Sequence, residues 1–254
     1  MKLSALFLLM GFLSNLLFQS SKTDIEVNTS SRYIAKGFVV IELFTSEGCS
    51  SCPPADQLIA EIQKETQNQS VYILTFHVDY WNSLGWKDVF SQVEFSKRQR
   101  TYANWLKSTS VYTPQLVING KEEFIGSNER SLRKSISSNL AKSPTEQILI
   151  NNLISTKNTL HLDFQATDAE LASSLVLALV QKAAKTNVKN GENGGRILSH
   201  VQVVRQLKNI SLINNKQGSA SINIPSNVDL SQLELIAFLQ KANGEITAAT
   251  KSKL

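Results

Sequence analysis

Residues 38–44 form an apolar run broken by one acid, Glu42, and stopped by Ser46-Glu47-Gly48. Short length with β-branched and aromatic content predicts a strand buried on both faces. Leu58, Ile59 and Ile62 then recur at helical spacing, and residues 71–78 (VYILTFHV) make a second buried strand. Two buried strands joined by a helix predict a parallel β-α-β unit. Residues 92–107 read as an amphipathic helix with Phe95, Tyr102, Trp105 and Leu106 toward the core. A hairpin across Asn119-Gly120 follows, then a helix over residues 127–140 capped by Ser127 or Asn128.

Beyond Ser143-Pro144-Thr145 the pattern changes to alternation. Residues 147–154, 159–164, 175–180, 197–204, 219–224 and 233–239 are strand candidates, separated by spacers rich in Asn, Gly, Ser and Lys. With no long helical pattern among them, they predict an antiparallel β-sandwich, immunoglobulin-like in one form. At 254 residues and 28.1 kDa the chain suits two domains. The divisions expected are a signal peptide over 1–21, a linker over 22–35, one domain over 36–142 and the β-sandwich over 143–254.

Met1-Lys2 followed by apolar residues 3–18 has signal-peptide character and is short for a membrane span. Cleavage near Ser20 or Ser21 is expected, with an uncleaved anchor as the alternative. Either implies export, to the periplasm, the cell envelope or the medium. The net charge of +5 is scattered. Its densest cluster, Lys97-Arg98-Gln99-Arg100, falls in a predicted helix, and no nucleic-acid motif accompanies it.

Cys49 and Cys52 are the only cysteines, three apart, after the first strand and before the first helix. That spacing closes a small reversible disulfide, and the context points to redox chemistry. A helix N-terminus favours thiolate through its dipole and free N–H groups. Cys49, on the turn side, is then the attacking thiolate and Cys52 the buried resolving thiol. Pro53 and Pro54 fit only a first helical turn and pin the helix start to the motif. Glu47 opposes activation by raising the thiol pKa. Zinc needs two more ligands, and His77, His161 and His200 lack finger spacing. Haem attachment needs His where Pro53 stands, and iron–sulfur ligation needs more cysteines. No metal or cofactor is expected. A thiolate copper carrier and an inert structural disulfide stay open, although so short a loop restrains the unfolded chain little.

Other residues invite a role. Glu42, alone in a buried strand, is a candidate proton acceptor for Cys52 if strand alternation turns it toward the helix. Residues 79–91 follow the second strand at its carboxyl end, where α/β sheets place their sites. They carry Tyr80, Trp81, Trp86 and Phe90, with His77 and Asp79 at the strand end. The segment either walls the cysteine site and binds substrate through His77, Asp79 and Trp81, or packs as ordinary core. Pro114, opening a central strand, is awkward unless special.

Cys-x-x-Cys after the first strand, with Thr113-Pro114 before the Asn-Gly hairpin, resembles the thioredoxin fold. The resemblance implies an α/β thioredoxin-like domain ahead of the β-sandwich. It also implies a cis Pro114 facing the dithiol and a substrate-docking edge at Thr113 and Pro114; a trans proline in an edge turn is the alternative. A longer pattern is similar to an uncharacterised family of exported thioredoxin-like bacterial proteins. It comprises residues 40–56, Phe76-His77-Val78-Asp79-Tyr80-Trp81, Leu84-Gly85-Trp86-Lys87-Asp88, Arg98-Gln99-Arg100 and Tyr112-Thr113-Pro114-Gln115. Gly191-Glu192-Asn193-Gly194-Gly195-Arg196 with His200 matches the same family, whereas Val89 stands where it usually has proline. The expected function is thiol–disulfide exchange with protein disulfide or dithiol substrates and an unidentified redox partner. The rival is a non-catalytic envelope binding protein. The second domain shows no catalytic constellation and reads as a docking module or scaffold.

Overall fold

The first apolar run becomes β1 (Val39–Thr45), buried at every position. The computed structural model describes residues 37–170 and 172–254, so the expected signal peptide and linker lie outside the described residues. Helix α1 (Pro53–Glu65) starts immediately after Cys52, with prolines at its first two positions. Strand β2 (Val71–His77) runs parallel to β1. Helix α2 (Val93–Leu106), the hairpin β3 (Gln115–Ile118) and β4 (Glu122–Ile125), and helix α3 (Glu129–Leu140) follow. The Asn128 side chain accepts from Ser131 N and caps α3, as expected. The second half contributes only strands and a 3₁₀ turn among the described residues. The strands are β5 (Gln147–Ser155), β6 (Thr159–Thr167), β7 (Ser174–Asn187), β8 (Ile197–Ser211), β9 (Gln217–Asn223), β10 (Leu233–Gln240) and β11 (Ile246–Lys253).

These elements do not build an α/β thioredoxin-like domain followed by a β-sandwich. The first-half strands and four of the second half share one mixed eight-stranded sheet, ordered β11-β10-β7-β8-β2-β1-β3-β4. Only β5, β6 and β9 form a separate three-stranded sheet. The join is a short parallel pairing of β2 with β8 in the register Thr75 to Val203. Thr75 Oγ1 reinforces it by donating to the Val201 carbonyl at 2.8 Å. The protein is therefore mostly β, and β8 pairs with β2 on the side away from β1.

One face of the large sheet packs Val40, Phe44, Leu74, Phe76, Val176, Ala178 and Phe238 against Phe95 and Tyr102 of α2 in a core shared by both halves. The opposite face is covered in two parts. Leu58, Ile59 and Ile62 of α1 with Leu132 and Ile136 of α3 cover Ile41, Leu43 and Ile73. The small sheet lays Leu160, Leu162 and Phe164 on Leu177, Leu179 and Leu235.

Glu42 alternates with the residues that face α1 and so points to the α2 side. It receives Arg98 Nε at 2.6 Å and Nη2 at 2.8 Å, and the Tyr102 hydroxyl also donates to it. Gln240 of β10 donates to that hydroxyl at 2.7 Å, tying both halves into one buried network. The Arg98 guanidinium also lies 5.5 Å from the Phe238 ring centroid. Burial alone would ease the proton off Arg98, but Glu42 and Tyr102 hold it there more firmly than in water. Removing one member leaves a buried charge without its partner. Glu42→Ala is expected to lower unfolding stability by roughly 3–5 kcal/mol in a urea titration, whereas a loss under about 1 kcal/mol would contradict this role.

Candidate functional site

The turn between β1 and α1 places both cysteines inward. Cys49 and Cys52 form a disulfide with Cα atoms 5.5 Å apart. Both residues are 0% exposed, while Ser50 and Ser51 between them face solvent. Cys49 therefore does not face outward as the sequence leads one to expect. The prolines that start α1 also remove two N–H groups that an anion there could have used. Other partners stand close to the sulfur. The Ser51 hydroxyl is 3.3 Å and the Thr113 carbonyl oxygen 3.8 Å from Cys49 Sγ. The Thr113–Pro114 peptide is cis, and Trp81 Nε1 donates to Thr113 Oγ1 at 2.8 Å. Trp81 Cβ also lies against Gly48.

Beneath the turn lies a buried acid–imidazole cluster. His200, carried on β8, stands with Nε2 3.5 Å from Glu47 Oε1 and Nδ1 3.6 Å from Asp56 Oδ1. Those separations exceed good hydrogen bonds and act through charge. Trp86 Nε1 donates to the other Glu47 oxygen, and Thr45 Oγ1 donates to Asp56 Oδ2. His77 pairs with Asp88 at 2.7 Å, and its ring meets His200 edge to face at 4.7 Å. Burial by itself would lower the His200 pKa, but Asp56 and Glu47 raise it to about 9. Burial would raise the Asp88 carboxyl, yet His77 and the Glu47 and Phe90 amides hold it below the ordinary range. Among the described residues, no group of three or more His, Cys, Asp or Glu side chains is arranged to hold a metal ion.

The cover over the turn comes from the other half of the chain. Strands β7 and β8 run on past the sheet as a hairpin arm, paired from Ala183–Val201 out to Asn187–Ile197. Its tip reaches the cysteines. Asn193, fully buried, donates through Nδ2 to the carbonyls of Glu47 and Cys49, each at 2.9 Å. Glu192 accepts from Ser50 N at 2.8 Å. Gly191, at φ +73°, lies against Trp86, where a Cβ would come 3.1 Å from the indole's Cβ.

Of the residues singled out by sequence, Cys49, Cys52, Thr113, Pro114 and Trp81 come together. His77 joins indirectly, through Asp88, whose Oδ2 also receives Glu47 N at 2.8 Å. Asp79 does not join: its amide and carboxylate engage Ser96 of α2. Nor does Glu42, which faces the other side of the sheet. Sequence reasoning passed over Glu47, Asp56, Asp88, Asn193 and His200 as site residues. One signal was available, the run from Gly191 to Arg196 with His200, which reads alone as a glycine-rich turn before a strand.

His200 binds its proton more tightly folded, at about 9, than at its ordinary 6.5. The stabilisation this gives is complete below about 6.5 and fades as pH rises to about 9. For the oxidised protein, unfolding free energy is expected to fall across that window. His200→Gln should flatten the decline; an equal slope in the variant contradicts the assignment.

The architecture has counterparts among solved structures. A structural-genomics target from Agrobacterium tumefaciens, determined by X-ray crystallography, matches 87% of this chain and 95% of its own at 26% identity and a TM-score of 0.63. A β-glucosidase from Kluyveromyces marxianus, solved with glucose, aligns with 49% of this chain and 16% of its own at 12% identity and a TM-score of 0.22, too unlike to carry an argument. No curated protein matches the chain. Residues 40–240 match the family described as "Protein of unknown function (DUF1223)", and the chain belongs to that family.

Proposed function

We propose that the chain is a thiol–disulfide oxidoreductase acting on protein clients through Cys49 and Cys52. The observation that carries this reading is the solitary pair, closed across the start of α1, with the Thr113 carbonyl and Ser51 hydroxyl against Cys49 Sγ. Acting as oxidant, the disulfide receives a client thiolate at Cys49 Sγ. The S–S bond breaks, and Cys52 leaves with the electron pair and takes up a proton. A second client thiolate then attacks the client sulfur and frees Cys49. The client is oxidised, and this chain is reduced by two electrons. Run backward, the same steps reduce a client disulfide, and an external thiol or disulfide partner restores the starting state.

The site supplies what those steps need. The α1 dipole favours a thiolate at Cys49, and in the reduced protein the Ser51 hydroxyl is near enough to donate to it. The Thr113 peptide lies beside the sulfur, where an extended client backbone can pair with it. We place this chemistry outside the cytosol, on the strength of the apolar segment at residues 3–18.

Complete burial of both sulfurs favours a second reading, a closed disulfide that only shapes the turn. Turnover separates the two. Exchange predicts that the chain catalyses insulin reduction by dithiothreitol, that Cys49→Ser abolishes it, and that Cys52→Ser traps a mixed disulfide at Cys49. Wild-type turnover no faster than the Cys49→Ser background would leave the shaping role.

A further inference from the structure

The amide of Ser50 and the carbonyl of Cys49 belong to one peptide group. Glu192 takes its N–H, and Asn193 donates to its C=O, so two consecutive side chains grip a single peptide from both poles. Asn193 is anchored in turn: Arg196 Nη1 donates to its Oδ1 at 2.7 Å, and its second amide contact fixes the Glu47 carbonyl. The tip behind it is closed by Val188, fully buried, whose amide donates to the Arg196 carbonyl and whose carbonyl accepts from Gly195 N, each at 2.9 Å. The Cys49–Ser50 peptide sets the direction of Cys49; within the turn Cys52 N also donates to the Cys49 carbonyl, at 3.2 Å, whereas the Ser50 N–H has no backbone acceptor among the described residues.

We propose that Glu192 and Asn193 are positioning residues for the disulfide: they hold the Cys49–Ser50 peptide so that Cys49 Sγ stays turned inward, and attack on it requires their release. This deepens the exchange reading and concerns the same sulfurs. Release frees the peptide for a partner that offers an acceptor to Ser50 N–H and a donor to the Cys49 carbonyl, the pair presented by an extended peptide backbone. The grip favours the closed, oxidised turn, so it also makes the disulfide harder to reduce. Glu192 adds a negative charge beside the forming thiolate and acts in the same direction.

The test uses the full oxidised chain with dithiothreitol and no client. A dithiothreitol thiolate attacks Cys49 Sγ, and Cys52 leaves with the electron pair and is protonated. The second thiol of dithiothreitol releases Cys49 as the reagent closes to its cyclic disulfide. Opening is followed by alkylation quench and mass measurement. Two buried hydrogen bonds are lost in Asn193→Ala, so it should open roughly tenfold faster or more. Glu192→Ala, at an exposed position, should open several-fold faster and serves alone if the first variant fails to fold. A tenfold shift of the redox equilibrium in Asn193→Ala appears as a reduction potential about 30 mV higher. Wild-type opening rates and an unmoved potential in the folded variants overturn the proposal. That outcome leaves insulin turnover, and with it the exchange reading, untouched.

Discussion

The parallel pairing of β2 with β8 is the contact on which the rest of the molecule depends. Its hydrogen-bonded register is short, yet it turns two halves of the sequence into one sheet. A hydrogen bond such as that from Thr75 to Val201 contributes only about 1 kcal/mol net. The larger contribution is the shared core, in which Val176, Ala178 and Phe238 bury surface against Phe44, Phe76 and Tyr102. Once β8 is seated beside β2, its outer portion and the end of β7 project over the start of α1. His200 and the 188–196 tip are delivered to the cysteine turn as a consequence of strand pairing.

This arrangement gives the disulfide an unusual electrostatic setting. Glu47, Asp56, Asp88 and Glu192 surround the turn with carboxylates, answered by His77 and His200 and by the dipole of α1. Buried carboxylates are tolerated only when paired, which accounts for the imidazoles threaded between them. Glu47, Asp56 and Asp88 are buried, where charges act over longer distances than at a surface, whereas Glu192 is exposed. Negative charge near Cys49 resists thiolate, whereas the helix dipole and protonated His200 favour it.

Local elements were readable in the sequence because their signals are local. The strand before Cys49, the proline-pinned helix after it, the Asn119-Gly120 hairpin and the Asn128 cap each rest on a few neighbouring residues. The strand candidates beyond residue 145 emerged with similar starts, apart from β11, whose mixed composition hides it, but those for β7 and β8 stopped well short of the observed ends. Pairing between strands distant in sequence was not readable. Strand β7 runs on to Asn187, past the apolar stretch at 175–180 that marked it, through polar positions such as Gln181 and Lys185. That extension pairs with residues 197–201 to build the arm, so one side of the arm and its 188–196 tip looked like loop while the side that carries His200 read as strand. The facing of Glu42 turned on alternation within a strand buried on both sides, where hydrophobicity gives no direction.

Native-state hydrogen exchange tests the joining of both halves in the eight-stranded sheet most directly. If the β2–β8 seam makes one cooperative body of residues 37–254, the slowest amides of β2 and of β10 exchange with the same opening free energy and respond alike to denaturant. Two distinct free energies, with β10 opening while β1 and β2 stay protected, would contradict the account and leave the arm's place over Cys49 without support.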